Sequence, residues 1–153
     1  MSAIRPISVG IVVKDGHLLA SKEYDRAKDE SFYRLLGGGI EFGETAMQAL
    51  RREFAEELGI ELASAELLEV TENMFEYQGS SGHEVAFVFG VTAPELDALP
   101  LDAQLQVLDQ GTAVVWAPLL ETDRPIYPEG VAALARDWEL SRRSRPNPTE
   151  SQS

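Results

Sequence analysis

Apolar and polar positions along this chain recur with two different periods, and the alternation between them predicts a mixed order of strands and helices. Ile7 to Val13 is apolar and β-branched, Lys14-Asp15-Gly16-His17 turns, and Leu18 to Ser21 continues. This predicts a β-hairpin on the Asp15-Gly16 turn. Glu23 to Ser31 is polar and reads as a loop, and Phe32 to Leu36 as a short strand entering Gly37-Gly38-Gly39. The period then lengthens. Ala46, Leu50, Phe54 and Leu58 recur every fourth residue, so a helix is predicted over Ala46–Leu58 with that stripe on the core. Thr45 is placed to cap its start, Gln48 completes a capping box, and Gly59 suits the left-handed position past its end.

Beyond the helix, Glu61 to Glu72 reads as a strand with its lead-in. Asn73–Tyr77, the turn Gln78–Gly82 and His83–Val91 form a long hairpin, whose second arm alternates at Val85, Phe87, Phe89 and Val91. Pro94 to Gln110 reads as a loop, Thr112–Trp116 as a final strand, and Pro128–Leu140 as a C-terminal helix with Pro128 at its start. Ser141 to Ser153 is polar and Pro-containing and reads as a disordered tail. Strands and helices mix without regular βαβ alternation, which predicts an α/β fold: a mixed sheet flanked by helices, in one domain over residues 1–140.

Composition narrows the function classes. The chain has 153 residues, enough for a sizeable core in one domain, and no apolar run long enough to cross a membrane. Its first residues alternate like a strand and do not resemble a signal peptide. With no cysteine, disulfides and thiolate metal sites are excluded and the redox compartment is unmarked, so cytoplasmic is the default location. A net charge of -13 disfavours nucleic acid and anionic membranes as partners.

The chemistry is concentrated in Gly38 to Ile60, GGIEFGETAMQALRREFAEELGI. Glu53, Glu56 and Glu57 stand at i, i+3 and i+4, so one helical face presents three carboxylates. Carboxylates so close repel unless a cation is present, and their hard oxygens suit Mg²⁺ or Mn²⁺. Arg52 precedes Glu56 by one turn and can orient it. The glycines at 37, 38 and 39 let backbone approach a metal or phosphate closely. An acidic helix face taken alone is usually just solvated. The full spacing is far more specific: Gly38, five residues, Glu44, seven residues, Arg52-Glu53, a hydrophobic residue, any residue, Glu56-Glu57, any residue, Gly59-Ile60.

That spacing resembles the signature of the Nudix hydrolases. The resemblance implies an α/β/α sandwich with a mixed β-sheet, in which the signature forms loop, helix and loop. It implies hydrolysis of a phosphoanhydride in a nucleoside diphosphate linked to another group, by attack of water at phosphorus. Substrates of that kind are nucleoside triphosphates, dinucleoside polyphosphates and nucleotide sugars. It implies metal binding by Glu53, Glu56, Glu57 and a backbone carbonyl at Gly37 or Gly38, and a supporting role for Glu44. Phe54 is larger than the aliphatic residue usual at its position. A homodimer is compatible with the family, though no sequence feature demands one.

Outside the signature the residues are less specific. The general base is either a signature glutamate or an acid on a later segment. Glu84 is the foremost outside candidate, against the plain reading of an edge-strand glutamate in solvent. Asp102, Asp109 and Glu121 are weaker candidates, and His83 is a further hydrogen-bond donor for phosphate. Arg34, Phe75 and Tyr77, with Phe32 and Tyr33, are candidates for a base pocket, against the plain reading of core aromatics. Trp116 reads as core. Tyr77 lies 17 residues after Ile60, a spacing that resembles the dinucleoside-polyphosphate branch. The proline of the ADP-ribose branch is missing. Two other function classes stand beside hydrolysis: a non-catalytic Nudix module that binds a nucleotide or nucleotide sugar, and an acidic calcium-binding or structural protein. The latter is disfavoured by the lack of an Asp-rich calcium loop.

Overall fold

The computed structural model describes residues 3–108, 111–122 and 124–144. The described chain forms ten strands and three helices: β1 Ile4–Ile11, β2 Val13–Lys14, β3 His17–Asp25, β4 Glu30–Arg34, β5 Leu36–Gly39, α1 Ala46–Leu58, β6 Ser64–Tyr77, β7 Ser80–Thr92, α2 Pro94–Asp97, β8 Gln104–Gln106, β9 Ala113–Pro118, β10 Ile126–Tyr127 and α3 Val131–Ser144. They build two mixed sheets. One runs β5-β1-β7-β6, with β1 and β7 parallel. The other runs β10-β4-β3-β9-β8, with β10 and β4 parallel and β2 paired to β3. The expected α/β architecture is present.

The first predicted hairpin is real but shorter than expected. Asp15 and Gly16 both have positive φ, the geometry of a two-residue turn between twisted strands. Only Val13-Lys14 pairs across it, with His17-Leu18. Ile4–Ile11 instead lies in the other sheet, between β5 and β7. The chain changes sheets at Val12, whose carbonyl accepts from the Leu19 amide at 2.9 Å. The expected loop over Glu23–Ser31 is mostly strand, with β3 and β4 paired from Ser21↔Arg34 to Asp25↔Glu30. Its polar side chains line a cavity, so they carry no apolar alternation for a strand to show.

Alternate residues of the central strands feed two cores. Ile7, Val9, Ile11, Ala86 and Val88 pack with Val131, Ala135 and Trp138 of α3. Phe89 and Val91 pack with Leu50 and Phe54 of α1. The helices therefore cover opposite faces, and β7 is buried on both sides, beyond the single alternating stripe expected of it. Ala49, Leu50 and Phe54 are the fully buried residues of α1, while Ala46 and Leu58 are partly buried against the same core. Two glycines permit these contacts. A Cβ on Gly10 would lie 2.9 Å from the Phe54 ring, and one on Gly90 would lie 2.4 Å from the Trp138 ring.

The long hairpin turns tightly at Gln78-Gly79, with Ser80 to Gly82 already in strand. Its first arm is one continuous edge strand from Ser64. The predicted loop after Pro94 contains α2 and β8. Strand β10, absent from the sequence reading, is two residues long and too short to show a period. The last helix starts three residues after Pro128 and runs to Ser144, so the predicted tail begins inside it. Residues 145–153 of that tail lie outside the described residues. No described helix is long and apolar enough to cross a membrane.

Candidate active site

Local sequence fixes α1 at both ends. The Thr45 hydroxyl accepts from the Gln48 amide at 3.1 Å, and the Gln48 side chain accepts from the Thr45 amide at 2.8 Å. Gly59 ends the helix with φ 67°, donating to the Ala55 carbonyl at 2.9 Å. The Ser8 hydroxyl, fully buried in β1, donates to the Ala46 carbonyl at 2.8 Å and ties the first turn to the sheet. Strand β5 runs beside β1 with Gly38 opposite Ser8 and Gly37 opposite Val9. The signature loop and helix are thereby held to one edge of the β5-β1 pair.

Arg52 is the hub of this region. Its guanidinium donates to both oxygens of Glu44 at 2.6 and 2.9 Å, to Glu53 at 2.9 Å, to Glu56 at 3.3 Å and to the Gly39 carbonyl at 3.0 Å. Arg52 does reach Glu56, one turn on, but its main partner is Glu44. Glu44 also accepts from the Glu41 amide at 3.0 Å. The Arg52 bond, then the Glu41 amide, holds the Glu44 carboxyl well below its ordinary range, at about 2, against the opposing effect of burial. The same carboxylate pushes the Arg52 guanidinium further up. The Glu53 carboxylate lies directly over Gly38, where an added Cβ would come within 2.6 Å of it.

Among the described residues no three carboxylate or imidazole groups converge into a ready-made metal cage. The donor set is nevertheless all hard oxygen: Glu53 and Glu56 held by one arginine, Glu57 beside them on the helix, and the glycine carbonyls. Magnesium-like ions keep several waters and take one or two carboxylates plus substrate phosphate, so these residues fit such an ion.

The second part of the site is a cavity of about 480 Å³ between the two sheets. Glu30, Phe32 and Arg34 project into it from alternate positions of β4, and Phe75 and Tyr77 from β6. Glu84 reaches it from β7, which is interior to its sheet, not at the edge. Glu84 is nine-tenths buried and pairs with Arg34 at 3.4 Å and Arg5 at 3.6 Å. Arg5 in turn lies against Gly39, 3.0 Å from where a Cβ would stand. Arg5 thus links the cavity to the signature loop. The sequence reading missed it, because a lone arginine before the first apolar run carries no motif.

The structure brings Arg34, Phe75, Tyr77 and Glu84 together in the cavity, and Gly38, Arg52, Glu53 and Glu56 beside one another at the helix. Tyr33 points away from the cavity: it is buried in the core, with the Arg124 guanidinium 5.4 Å from its ring centroid. Trp116 is core, as expected. His83 sits 3.1 Å from Glu72 across the hairpin. Asp102 and Glu121 are exposed and outside the cavity lining. Asp109 lies outside the described residues.

Comparison with known proteins agrees with this arrangement. The family model described as the NUDIX domain matches residues 4–135, so the chain belongs to the Nudix hydrolase family. An RNA pyrophosphohydrolase from Ruthia magnifica subsp. Calyptogena magnifica is 29% identical over 148 residues, spanning 84% of this chain and 80% of that protein. The nucleoside triphosphatase NudI of Escherichia coli is 41% identical over 64 residues, which are 41% of this chain and 45% of that relative. The match to NudI therefore spans less than half of that protein. A MutT NUDIX hydrolase from Burkholderia pseudomallei superposes with a TM-score of 0.63 at 24% identity, covering 90% of this chain and 98% of that one, and shares its fold.

Proposed function

We propose that residues 1–140 act as one Nudix domain that hydrolyses a phosphoanhydride bond in a nucleoside diphosphate linked to another group, by attack of water at phosphorus. The observation that supports this most is the Arg52 hub, which gathers Glu44, Glu53, Glu56 and the Gly39 carbonyl at the end of β5. Side chains fixed in this way lose little freedom when a substrate arrives. Glu53, Glu56, Glu57 and the Gly38 carbonyl would hold a Mg²⁺ or Mn²⁺ ion, which supplies polarisation of phosphoryl oxygen and acidification of a bound water. Arg34 and Arg5 face the diphosphate, and Glu84 sets the position of both guanidiniums. Phe75 and Tyr77 form a wall for the organic group. The base that takes the water proton is a signature glutamate; Glu84 is already engaged by two arginines.

The test is product release from a panel of nucleoside triphosphates, dinucleoside polyphosphates, nucleotide sugars and 5′-triphosphorylated RNA, with Mg²⁺ or Mn²⁺. The RNA is included because one relative is named for it; the net charge of -13 favours small nucleotides. Glu57→Gln should lower turnover by about 10²-fold or more with an unchanged melting temperature. Tight binding without turnover across the panel would replace this reading with a nucleotide-binding module.

A further inference from the structure

Helix α1 packs chiefly over β5 and β1, the first two strands of the four-stranded sheet. The same face of that sheet continues across β7 and β6. Strand register places Phe89 opposite Leu67, Phe87 opposite Val70, and His83 between Met74 and Ile4, so these side chains share that face. Phe89 is buried with Leu50 and Phe54 of α1. Beyond it the cover stops. Val85 and Phe87 are half-buried, Leu67 and Val70 are each 49% exposed, Ile4 is 59% exposed and Met74 74%. Single exposed apolar residues are ordinary, but a run that shares one face across neighbouring strands marks a contact surface.

The open strip is two strands wide. Strands lie about 4.8 Å apart and packed helices about 8–10 Å apart, so one further helix beside α1 would fill it. The strip also has an acidic rim. Glu72, opposite Val85, and Glu76, opposite Ser81, stand on the same face, and Glu72 lies 3.1 Å from His83. No lysine or arginine occurs between Arg52 and Arg124, so neither β6 nor β7 brings such a cation of its own. A second copy of this chain would carry the same rim, and like charges would oppose each other. A partner surface with apolar residues flanked by lysine or arginine complements both features.

We infer that the β6-β7 face beside α1 docks an amphipathic helix of a partner protein. Its apolar side lies on Val70, Phe87 and Met74, and its lysine or arginine side chains meet Glu72 and Glu76. This helix completes the layer that α1 begins. Phe75 and Glu84, on the opposite face of the same strands, line the cavity, so the inference stands apart from the proposed reaction.

The test uses two synthetic helical peptides of about 16 residues, about 24 Å long, which matches the reach of a strand from Leu67 to Met74. Both carry leucine along one side. One carries lysine on the other side, and the second carries glutamate there. Each is titrated into the full chain by NMR, without substrate. The lysine peptide should bind about tenfold tighter or more, with the largest shifts at Leu67, Val70, Val85 and Phe87. Val70→Thr with Met74→Gln should weaken it about tenfold, through the loss of two apolar contacts. Glu72→Gln with Glu76→Gln should weaken it about three- to tenfold at low salt. Glu95→Gln with Asp102→Asn, exposed on α2 and on the turn before β8, should leave binding unchanged and so removes bulk charge as the cause. No binding of the lysine peptide, binding that survives either pair of face substitutions, or shifts centred on another surface would overturn the inference. So would sedimentation of a dimer that Val70→Thr with Met74→Gln dissociates, because the face would then belong to a second copy.

Discussion

Arg52 grips Glu44 with two parallel hydrogen bonds, Nε to Oε2 at 2.6 Å and Nη2 to Oε1 at 2.9 Å. The pair joins the residue just ahead of the helix cap to the middle of α1 and so closes the loop after β5. Its dependence on pH has a definite sign. The Glu44 carboxyl falls from an ordinary 4.5 to about 2 in the folded protein. A depressed carboxyl stabilises the fold above its unfolded value, and that contribution is lost as pH falls through the folded value. Glu44→Gln should therefore melt at a lower temperature than the wild type at neutral pH. The difference should close between pH 4.5 and pH 2. Melting curves of both proteins across that range check this, and a gap that persists at the acid end would contradict it.

Two neighbouring glycines should fail in different ways. A Cβ on Gly38 meets the Glu53 carboxylate at 2.6 Å, a movable side-chain end. A Cβ on Gly37, whose φ is 141°, meets the Ser8 carbonyl oxygen at 2.1 Å, which is fixed backbone within the β1-β5 pairing. Gly38→Ala should displace Glu53 and lower turnover with little change in melting. Gly37→Ala should destabilise the fold by about 1–3 kcal/mol, the usual cost of overpacking. Urea unfolding and initial rates on both variants separate the two effects.

The contrast shows what the sequence could and could not reveal. Helix α1 was legible because its period, capping box and terminal glycine all agree, and the Gly38–Ile60 spacing located the carboxylate cluster from the chain alone. The cavity was half legible. Arg34, Phe75, Tyr77 and Glu84 stood out as single residues, but nothing local shows that the three strands carrying them, from two sheets, converge. The polar run Glu23–Ser31 hid two strand ends, because their side chains face a polar cavity and not an apolar core. The passage of the chain between sheets at Val12 is a long-range event, and an uninterrupted apolar run cannot announce it.

The C-terminal helix is bound to the central sheet through one contact that depends on shape. The Trp138 ring lies over Gly90 of β7, leaving no room for a Cβ. Glu139, the next residue, accepts from the Gly16 amide at 3.1 Å and pairs with Arg143 at 3.4 Å. Trp138→Ala should cost about 3–5 kcal/mol, as for other large core aromatics. Gly90→Ala should cost about 1–3 kcal/mol by lifting the helix. Combined in one protein, the two changes should cost less than their sum, because the truncated side chain leaves space for the new methyl. Denaturant titrations of the two single variants and the double variant measure this coupling, and strict additivity would show that the contact is not shared.

Glu84 offers the sharpest separation of binding from chemistry. It is nine-tenths buried and holds Arg34 and Arg5 through a single oxygen, so its carboxylate sets where both guanidiniums stand. If that is its role, Glu84→Gln leaves the signature glutamates in place but loosens the two cations facing the diphosphate. KM should then rise by about tenfold, corresponding to the loss of one charge-assisted contact of roughly 1.4 kcal/mol, while kcat changes little. A group that takes the proton from water behaves in the opposite way, because its loss lowers kcat by about 10²-fold or more. Steady-state kinetics of Glu84→Gln beside Glu57→Gln, on whichever substrate the panel selects, distinguish the two. A collapse of kcat in Glu84→Gln at unchanged KM would move the base from α1 to β7. Arg5→Gln completes the comparison, since it should share the KM defect of Glu84→Gln and leave kcat near that of the wild type.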